Sequence, residues 1–272
     1  MDMFELADDI QEHAFIAALN TGAGARKVLG LFQESDVCAD LMVDDKDIMS
    51  GDAGRIEAAI GHLDMVIILS NLSDHDERAL ACKVAAISKR SGVLTLVYNL
   101  VPFEFKYSGK QKGTDLLKFS ILKTDLYLAI TENEHSEAFE VKTKKIKDVI
   151  DAVTKMIMTP GMICIDFSDF RAVICSGKLA VFGIGEASDI STAVDKVFTS
   201  NDIANINRAD ISGAFITLTA GLSLTLEDYT LLGDLIEPKV SEDCIIVIGT
   251  VLEPSFDEIK QVSVVFTGPE LY

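Results

Sequence analysis

The feature that most constrains the fold is a rhythm in the first half of the chain. Short runs rich in β-branched residues alternate with segments of helical periodicity. Strands are expected over 15–19, 41–43, 65–69, 93–98 and 126–130, with helices over 25–33, 55–62 and 74–91. Strand, helix, strand in repeated order implies right-handed crossovers and a parallel sheet covered on both faces. A doubly wound α/β domain follows.

From 136 to 158 the rhythm gives way to one long amphipathic helix. Its apolar stripe is Phe139, Ile146, Val149, Ile150, Val153 and Ile157, and Pro160-Gly161 stops it. Beyond it, helices over 168–175, 191–199 and 226–236 and strands over 179–184, 214–220, 244–251 and 259–266 predict a smaller α+β domain. The chain divides as 1–134, a nucleotide-binding-like domain; 135–159, the connecting helix; and 160–272, the second domain. With 272 residues, 49% of them hydrophobic, it can bury two ordinary cores.

A formal charge of −19, from 43 acids against 24 bases, repels nucleic acid and anionic lipid. The one basic run, 142–147, lies at helical spacing and reads as a solvated helix face. No apolar stretch approaches the ~20 residues of a membrane-spanning helix. The acidic N-terminus lacks the basic flank and apolar run of a signal peptide, so a cytoplasmic location is expected. Five scattered cysteines fit reduced core thiols, and neither they nor the four histidines show metal-ligand or catalytic spacing.

Four long motifs in order carry a resemblance. GMICIDFSDFR at 161–171, GKLAVFGIGEAS at 177–188, ITLTAGLSLTLEDY at 216–229 and IIVIGTVLEPSFDEIKQVSVVFTG at 245–268 resemble consecutive elements of FtsZ, the prokaryotic relative of tubulin. In the first half LDMVIIL at 63–69, GVLTLVYNLVPFEF at 92–105, TDLYLAI at 124–130 and AFEVKTKKIKDVIDAVTKMI at 138–157 align in the same order. The resemblance implies a tubulin/FtsZ-like fold in which subunits stack head to tail, the catalytic loop of one meeting GTP on the next.

A strand, a glycine turn and a helix can bind phosphate, since backbone N–H groups and the helix dipole point at the anion. Asn20-Thr-Gly-Ala-Gly-Ala25 after the first strand fits that plan and resembles the family's GGAGGN, with Gly22, Ala23 and Gly24 kept. Taken without the family, a tight strand-to-helix turn explains the same residues. After the 65–69 strand the family carries GGGTGTG, whereas this chain has Ser73-Asp-His-Asp-Glu-Arg-Ala79. Ser73 reads as an N-cap with Asp76 three residues on, so the helix satisfies its own N–H groups and Asp74, Asp76 and Glu77 neutralise its positive end. One carboxylate ~4 Å from a phosphate charge costs about 4 kcal/mol at an effective dielectric of ~20. The stretch 47–55 is much shorter than the family's counterpart, so the resemblance implies that the glycine-containing loop that senses the terminal phosphate is missing. On the base side Phe139 matches an aromatic contact and Asn133 a polar one, but Thr143 stands in place of the guanine-reading Asp.

Asp166 and Asp169 match the acids that, in the family, polarise water on the neighbouring subunit's nucleotide, with Cys164 in place of an Asn. By spacing alone an N-cap and a first-turn charge are the better reading, and it is the surrounding motif that brings the interface role level with it. The resemblance therefore implies a cytoskeletal or cell-division protein that has lost autonomous GTP binding and hydrolysis and requires no cofactor. It would act by assembling with itself or with an FtsZ-type subunit. The alternative is a divergent self-assembling GTPase that still binds GTP or GDP.

Overall fold

The computed structural model describes residues 14–22, 45–72, 74–99, 124–129, 147–148, 150–155, 157, 162–163, 165–204 and 206–268. The expected helix over 25–33 and strand over 41–43 lie outside the described residues, as does the first half of the connecting helix. Residues of that helix between 147 and 157 are helical wherever described.

The elements follow in the order β1 (Ile16–Asn20), α1 (Asp45–Met49), α2 (Ala53–Ile60), β2 (Met65–Ser70), α3 (His75–Arg90), β3 (Leu94–Asn99) and β4 (Leu126–Ala129). Then come α4 (Phe167–Cys175), β5 (Leu179–Ala187), α5 (Ile190–Thr199), α6 (Asn201–Ala204), β6 (Gly213–Ala220), α7 (Leu226–Ile236), β7 (Ile245–Leu252) and β8 (Lys260–Gly268). Each expected strand and helix among the described residues is present, its ends shifted by a few residues. The strands order as β1-β2-β3-β4-β5-β8-β6-β7. The first four are parallel, with Ile16 beside Met65 and Met65 beside Leu94. Three residues of β4 continue the sheet in parallel onto β5, beginning with Tyr127 beside Leu179. In the second half β8 runs antiparallel between β5 and β6, and β7 lies parallel to β6.

Period two sorts the strand residues onto two faces. Met65, Ile67 and Leu69 of β2 pack with Leu94, Leu96 and Tyr98 of β3 against Ile150 and Val153 of the connecting helix and Phe170, Val173 and Ile174 of α4. Val66 and Ile68 face the other way, onto Ile56 and Ile60 of α2 and Ala81, Val84 and Ala85 of α3. Fully burying each large aliphatic side chain contributes roughly 1.5–3 kcal/mol, so helix cover on both faces is what stabilises a parallel sheet. This is the doubly wound arrangement the rhythm predicts.

The second half repeats the logic. Ala214, Ile216 and Leu218 of β6 and Val262, Val264 and Phe266 of β8 bury against Val194, Val197 and Phe198 of α5 and Leu232 and Ile236 of α7. Their neighbours Phe215 and Val265 point to the opposite face and join the cluster that holds α4. There the Phe170 and Phe215 rings meet edge-on, with centroids 4.7 Å apart. Helix α4 thus shares one core with strands of both halves.

Candidate functional site

In open α/β sheets ligands gather beyond the carboxyl ends of the strands. Here those ends are Asn20 of β1 and Ser70 of β2, followed by the Thr21-Gly22 turn and by Asn71-Leu72. The Thr21 amide still donates to the Leu69 carbonyl, 3.2 Å away. The turn therefore stays pinned to β2 just past the last strand pair.

Helix α3 opens immediately afterwards, and its N-cap is Asp74. The Asp74 backbone is extended (φ −77°, ψ 133°), and its Oδ1 accepts the amides of Asp76 at 2.9 Å and Glu77 at 3.0 Å. This corrects the sequence expectation: the cap lies one residue beyond Ser73, which is outside the described residues. Asp and Ser cap almost equally well, so two adjacent cap-forming residues leave the register open to the longer-range fold. Asp76 does not close a capping box; its Oδ1 lies 3.1 Å from His75 Nδ1, on the surface.

Glu77 completes the arrangement. Its Oε2 accepts the Asn71 amide at 2.9 Å. The same carboxylate lies on Gly22: a Cβ built there would stand 1.9 Å from Oε1 and 2.0 Å from Cδ. A side chain at this position would displace that carboxylate, the end of a flexible side chain. Arg78, the next residue, turns back to the Leu72 carbonyl at 2.9 Å, so its guanidinium is engaged on the loop itself. Three carboxylates crowd the head of α3: Asp74 as cap, with Asp76 and Glu77 in the first turn. The helix dipole favours anions there, and here the chain supplies them.

A buried hydroxyl at this end is left over. Ser70 is fully buried, and its Oγ has no hydrogen-bond partner among the described residues. By strand alternation Ser70 shares the α3 face with Val66 and Ile68. Of the other residues expected to contact nucleotide, Gly22 is placed as above. Ala23, Gly24, Asn133, Phe139 and Thr143 lie outside the described residues.

The second candidate set stands elsewhere. Asp166 is the N-cap of α4, its Oδ1 accepting the Ser168 amide at 2.8 Å, and Asp169 lies in the first turn. Both side chains are exposed. Helix α4 packs on the sheet face opposite to α3, so the chain does not bring Asp166 and Glu77 together. Arg171 anchors α4 to the Gly92 carbonyl at 3.3 Å, ahead of β3. Cys164 lies outside the described residues.

Exposed apolar side chains lie on the Asp166 loop, at the ends of β6 and β7 and at the head of α7. The Ile163 amide donates to Thr250 Oγ1 at 2.9 Å, tying this loop to the end of β7. Met162 is 40% exposed, and Leu252, where β7 ends beside Ala220, is 36% exposed. Leu222, in the turn after β6, is 76% exposed, and Leu226, the first residue of α7, is 65% exposed. A true capping box holds α7 in place. Thr225 and Asp228 bond reciprocally, and Lys260 Nζ donates to Asp228 Oδ1. Burial pushes the Asp228 carboxyl up, but the bonds from Lys260 and Thr225 outweigh it and hold the group below its ordinary value. The box itself has the local Thr225-x-x-Asp228 spacing, whereas the Lys260 bond that reinforces it reaches across 32 residues and has no local signature.

Among the described residues no three His, Cys, Asp or Glu side chains form a metal-binding group, and no helix is long and apolar enough to cross a membrane. The thiols only partly fit the expectation of core cysteines. Cys82 and Cys244 are half-buried, but Cys175 is exposed, because α4 turns it away from the core its helix covers.

Comparison with known proteins matches residues 178–270 to the FtsZ family, C-terminal domain. A cell division protein FtsZ from Buchnera aphidicola subsp. Baizongia pistaciae is 26% identical over 97% of this chain and 75% of its own length. The counterpart from Pseudomonas putida is 25% identical over 92% of this chain, which spans 65% of that protein. Among solved structures, a mutant FtsZ from M. jannaschii superposes with a TM-score of 0.68 at 26% identity, over 79% of this chain and 69% of that one. An empty FtsZ dimer from the same organism gives 0.77 at 23%, over 97% and 91%. GDP-bound CetZ1 from Haloferax volcanii gives 0.68 at 13%, over 93% and 94%. The last two likenesses speak for the fold alone.

Proposed function

Starting from a chain that is FtsZ-like and of the tubulin superfamily, we propose a cytoskeletal subunit serving cell division that works by assembly and does not bind or hydrolyse GTP by itself. Its partner is a second copy of the chain or an FtsZ-type subunit, met head to tail in the cytoplasm. The observation that carries this reading is the Glu77 carboxylate seated on Gly22 and the Asn71 amide. That is the ground a nucleotide phosphate would need. With Asp74 and Asp76 beside it, a phosphate arriving there meets negative charge at close range.

The opposite sheet face supports the assembly half of the reading. Asp166 and Asp169 are exposed at the head of α4, and Met162, four residues before Asp166, exposes apolar surface. Exposed apolar surface next to a polar loop is the composition of a protein-binding face. Such a subunit would dock its Asp166 loop on a neighbour's nucleotide while offering none to the next subunit, and so cap or modulate a filament.

Co-sedimentation with a polymerising FtsZ tests this. Polymer mass and GTP turnover should change as the chain is titrated in, and a flat response would remove the modulating role. Calorimetry with GTP and magnesium tests the other half. Binding tighter than about 1 mM, some −4 kcal/mol, would instead restore the divergent GTPase.

A further inference from the structure

We infer that the tail of α3, the exposed side of α4 and the approach to β5 form a cationic docking surface for an extended acidic segment of a partner protein. This surface does not depend on the assembly proposed above. Arg171 of α4 reaches the Gly92 carbonyl with both terminal nitrogens, at 3.3 and 3.4 Å. It therefore stands against the turn that follows Lys89 and Arg90, in the last turn of α3. Lys178 enters from a third element, directly before β5. The Cys175 thiol feels Arg171, Lys178 and Lys89 at once, which places the three on one patch. Compensation of the helix dipole accounts for Lys89 and Arg90 at a helix tail, but not for the convergence of Arg171 and Lys178 on them. Elsewhere cations are paired: Lys147 with Asp151, Lys239 with Asp195 and Lys260 with Asp228. None of Lys89, Arg90, Arg171 and Lys178 has an ion pair among the described residues. Asp125, the acid within reach of the same thiol, has one carboxylate oxygen on the Thr95 amide at 2.8 Å. In a chain of 43 acids and 24 bases, such a concentration of unpaired cations is complementary to a charge from outside. The patch is also open, since Gly92, Ala172 and Cys175 are exposed, and a Cβ built on Gly92 meets nothing within 4 Å among the described residues. The net charge of −19 selects the shape of the partner. A membrane or a nucleic-acid duplex carries its charge well beyond the patch and meets the chain's acids within a Debye length, about 8 Å, whereas a narrow acidic segment meets the cations alone.

The test follows the fluorescence anisotropy of a labelled oligo-glutamate peptide titrated with the full chain at low and at physiological salt. Wild type should bind saturably at low salt and lose affinity as salt rises. Arg171→Gln should weaken binding by up to about fivefold, and Lys89→Gln, Arg171→Gln and Lys178→Gln together by about tenfold or more. Arg55→Gln removes the same charge from the exposed side of α2 and should leave binding unchanged. Arg171→Lys keeps the charge and should stay within about twofold of wild type. Wild type that does not bind the peptide overturns the inference. So does a loss in Arg55→Gln equal to that in Arg171→Gln, since only net charge would then be felt. A loss in Arg171→Lys equal to that in Arg171→Gln overturns it too, because the Gly92 contact rather than the charge would be what matters. Should the triple variant not fold, Lys178→Gln alone decides: weaker peptide binding at an unchanged Tm supports the surface, and unchanged binding refutes it. Vesicles of anionic lipid that bind wild type more tightly than the peptide does, and release it on the same substitutions, would overturn the acidic segment in favour of a membrane.

Discussion

Asp166 holds two positions at once, cap of α4 and candidate contact to a neighbouring subunit, and substitution separates them. Asp166→Ala removes the acceptor of the Ser168 amide, a 2.8 Å bond, and loss of an N-cap costs about 1 kcal/mol, within roughly 0.5–2. For a chain of this size that is a fall in Tm of about 2–4 °C. Asp166→Asn keeps an oxygen at the same place and caps about as well, so its stability should stay within about 0.5 kcal/mol of wild type. It loses the negative charge that the interface role requires. Thermal unfolding followed by circular dichroism should therefore separate Ala from Asn. Co-sedimentation with a polymerising FtsZ should group them together, both losing their effect on the partner's GTP turnover. If Asn is as destabilised as Ala, the side chain is not the cap it looks like. If Asn keeps full effect on turnover, Asp166 is a cap only, and the interface reading of the α4 loop fails with it.

Phe170→Ala should cost about 3–5 kcal/mol in urea unfolding, because Phe170 is fully buried and meets Phe215 edge-on. A cycle with Phe215→Leu should show coupling of about 0.5–1.5 kcal/mol, whereas strict additivity would separate α4 from β6. Asp228, held below the ordinary carboxylate range, contributes stability that is complete above its unfolded value of about 3.9. That contribution is lost as pH falls through the lower folded value. Lys260→Met should move the acid-unfolding midpoint upward, and an unmoved midpoint would deny the Lys260 bond its role. Burial raises the Cys244 thiol to about 11, so at pH 8 only about one thiol in a thousand is thiolate. Alkylation of Cys244 should be far slower than that of a free cysteine peptide, and equal rates would place it outside its half-buried setting.

The parts of the fold readable from sequence are those whose cause is local. MVIIL over 65–69 and LTLVY over 94–98 are β-branched runs between helical segments, and their strands begin within a residue of expectation. The insertion of β8 between β5 and β6 was not readable, because strand order depends on pairing between segments far apart in the chain. The same distinction governs the site. Acidic crowding at the head of α3 was legible from Asp74, Asp76 and Glu77. That Asp74 rather than Ser73 caps the helix was not, since both residues suit the position and the choice follows from how β2 delivers the chain, with the Asp74 amide on the Asn71 carbonyl at 3.0 Å. Least legible was Glu77 lying on Gly22, a contact across 55 positions in sequence with no local signature.

That contact bears on how readily such a site reverts to binding nucleotide. Two amides at the head of α3 and one at Asn71 are each bonded to a carboxylate of the chain. Hydrogen bonds to charged groups contribute roughly 1.5–3 kcal/mol each, and the exposed Asp74 pair belongs at the low end. A phosphate that took all three amides would forgo about 5 kcal/mol before gaining anything. That is more than half the free energy of a micromolar complex, about −8 kcal/mol. Restoring glycine at one position removes one carboxylate and leaves the other cap in place, so single substitutions should recover anion binding only weakly. Replacing 73–79 by small residues removes all three charges together, and should raise phosphate affinity by more than the product of the single changes, because Asp74 and Glu77 act on one helix end and are not independent. Recovery no greater than that product would mean that the two carboxylates exclude the anion separately.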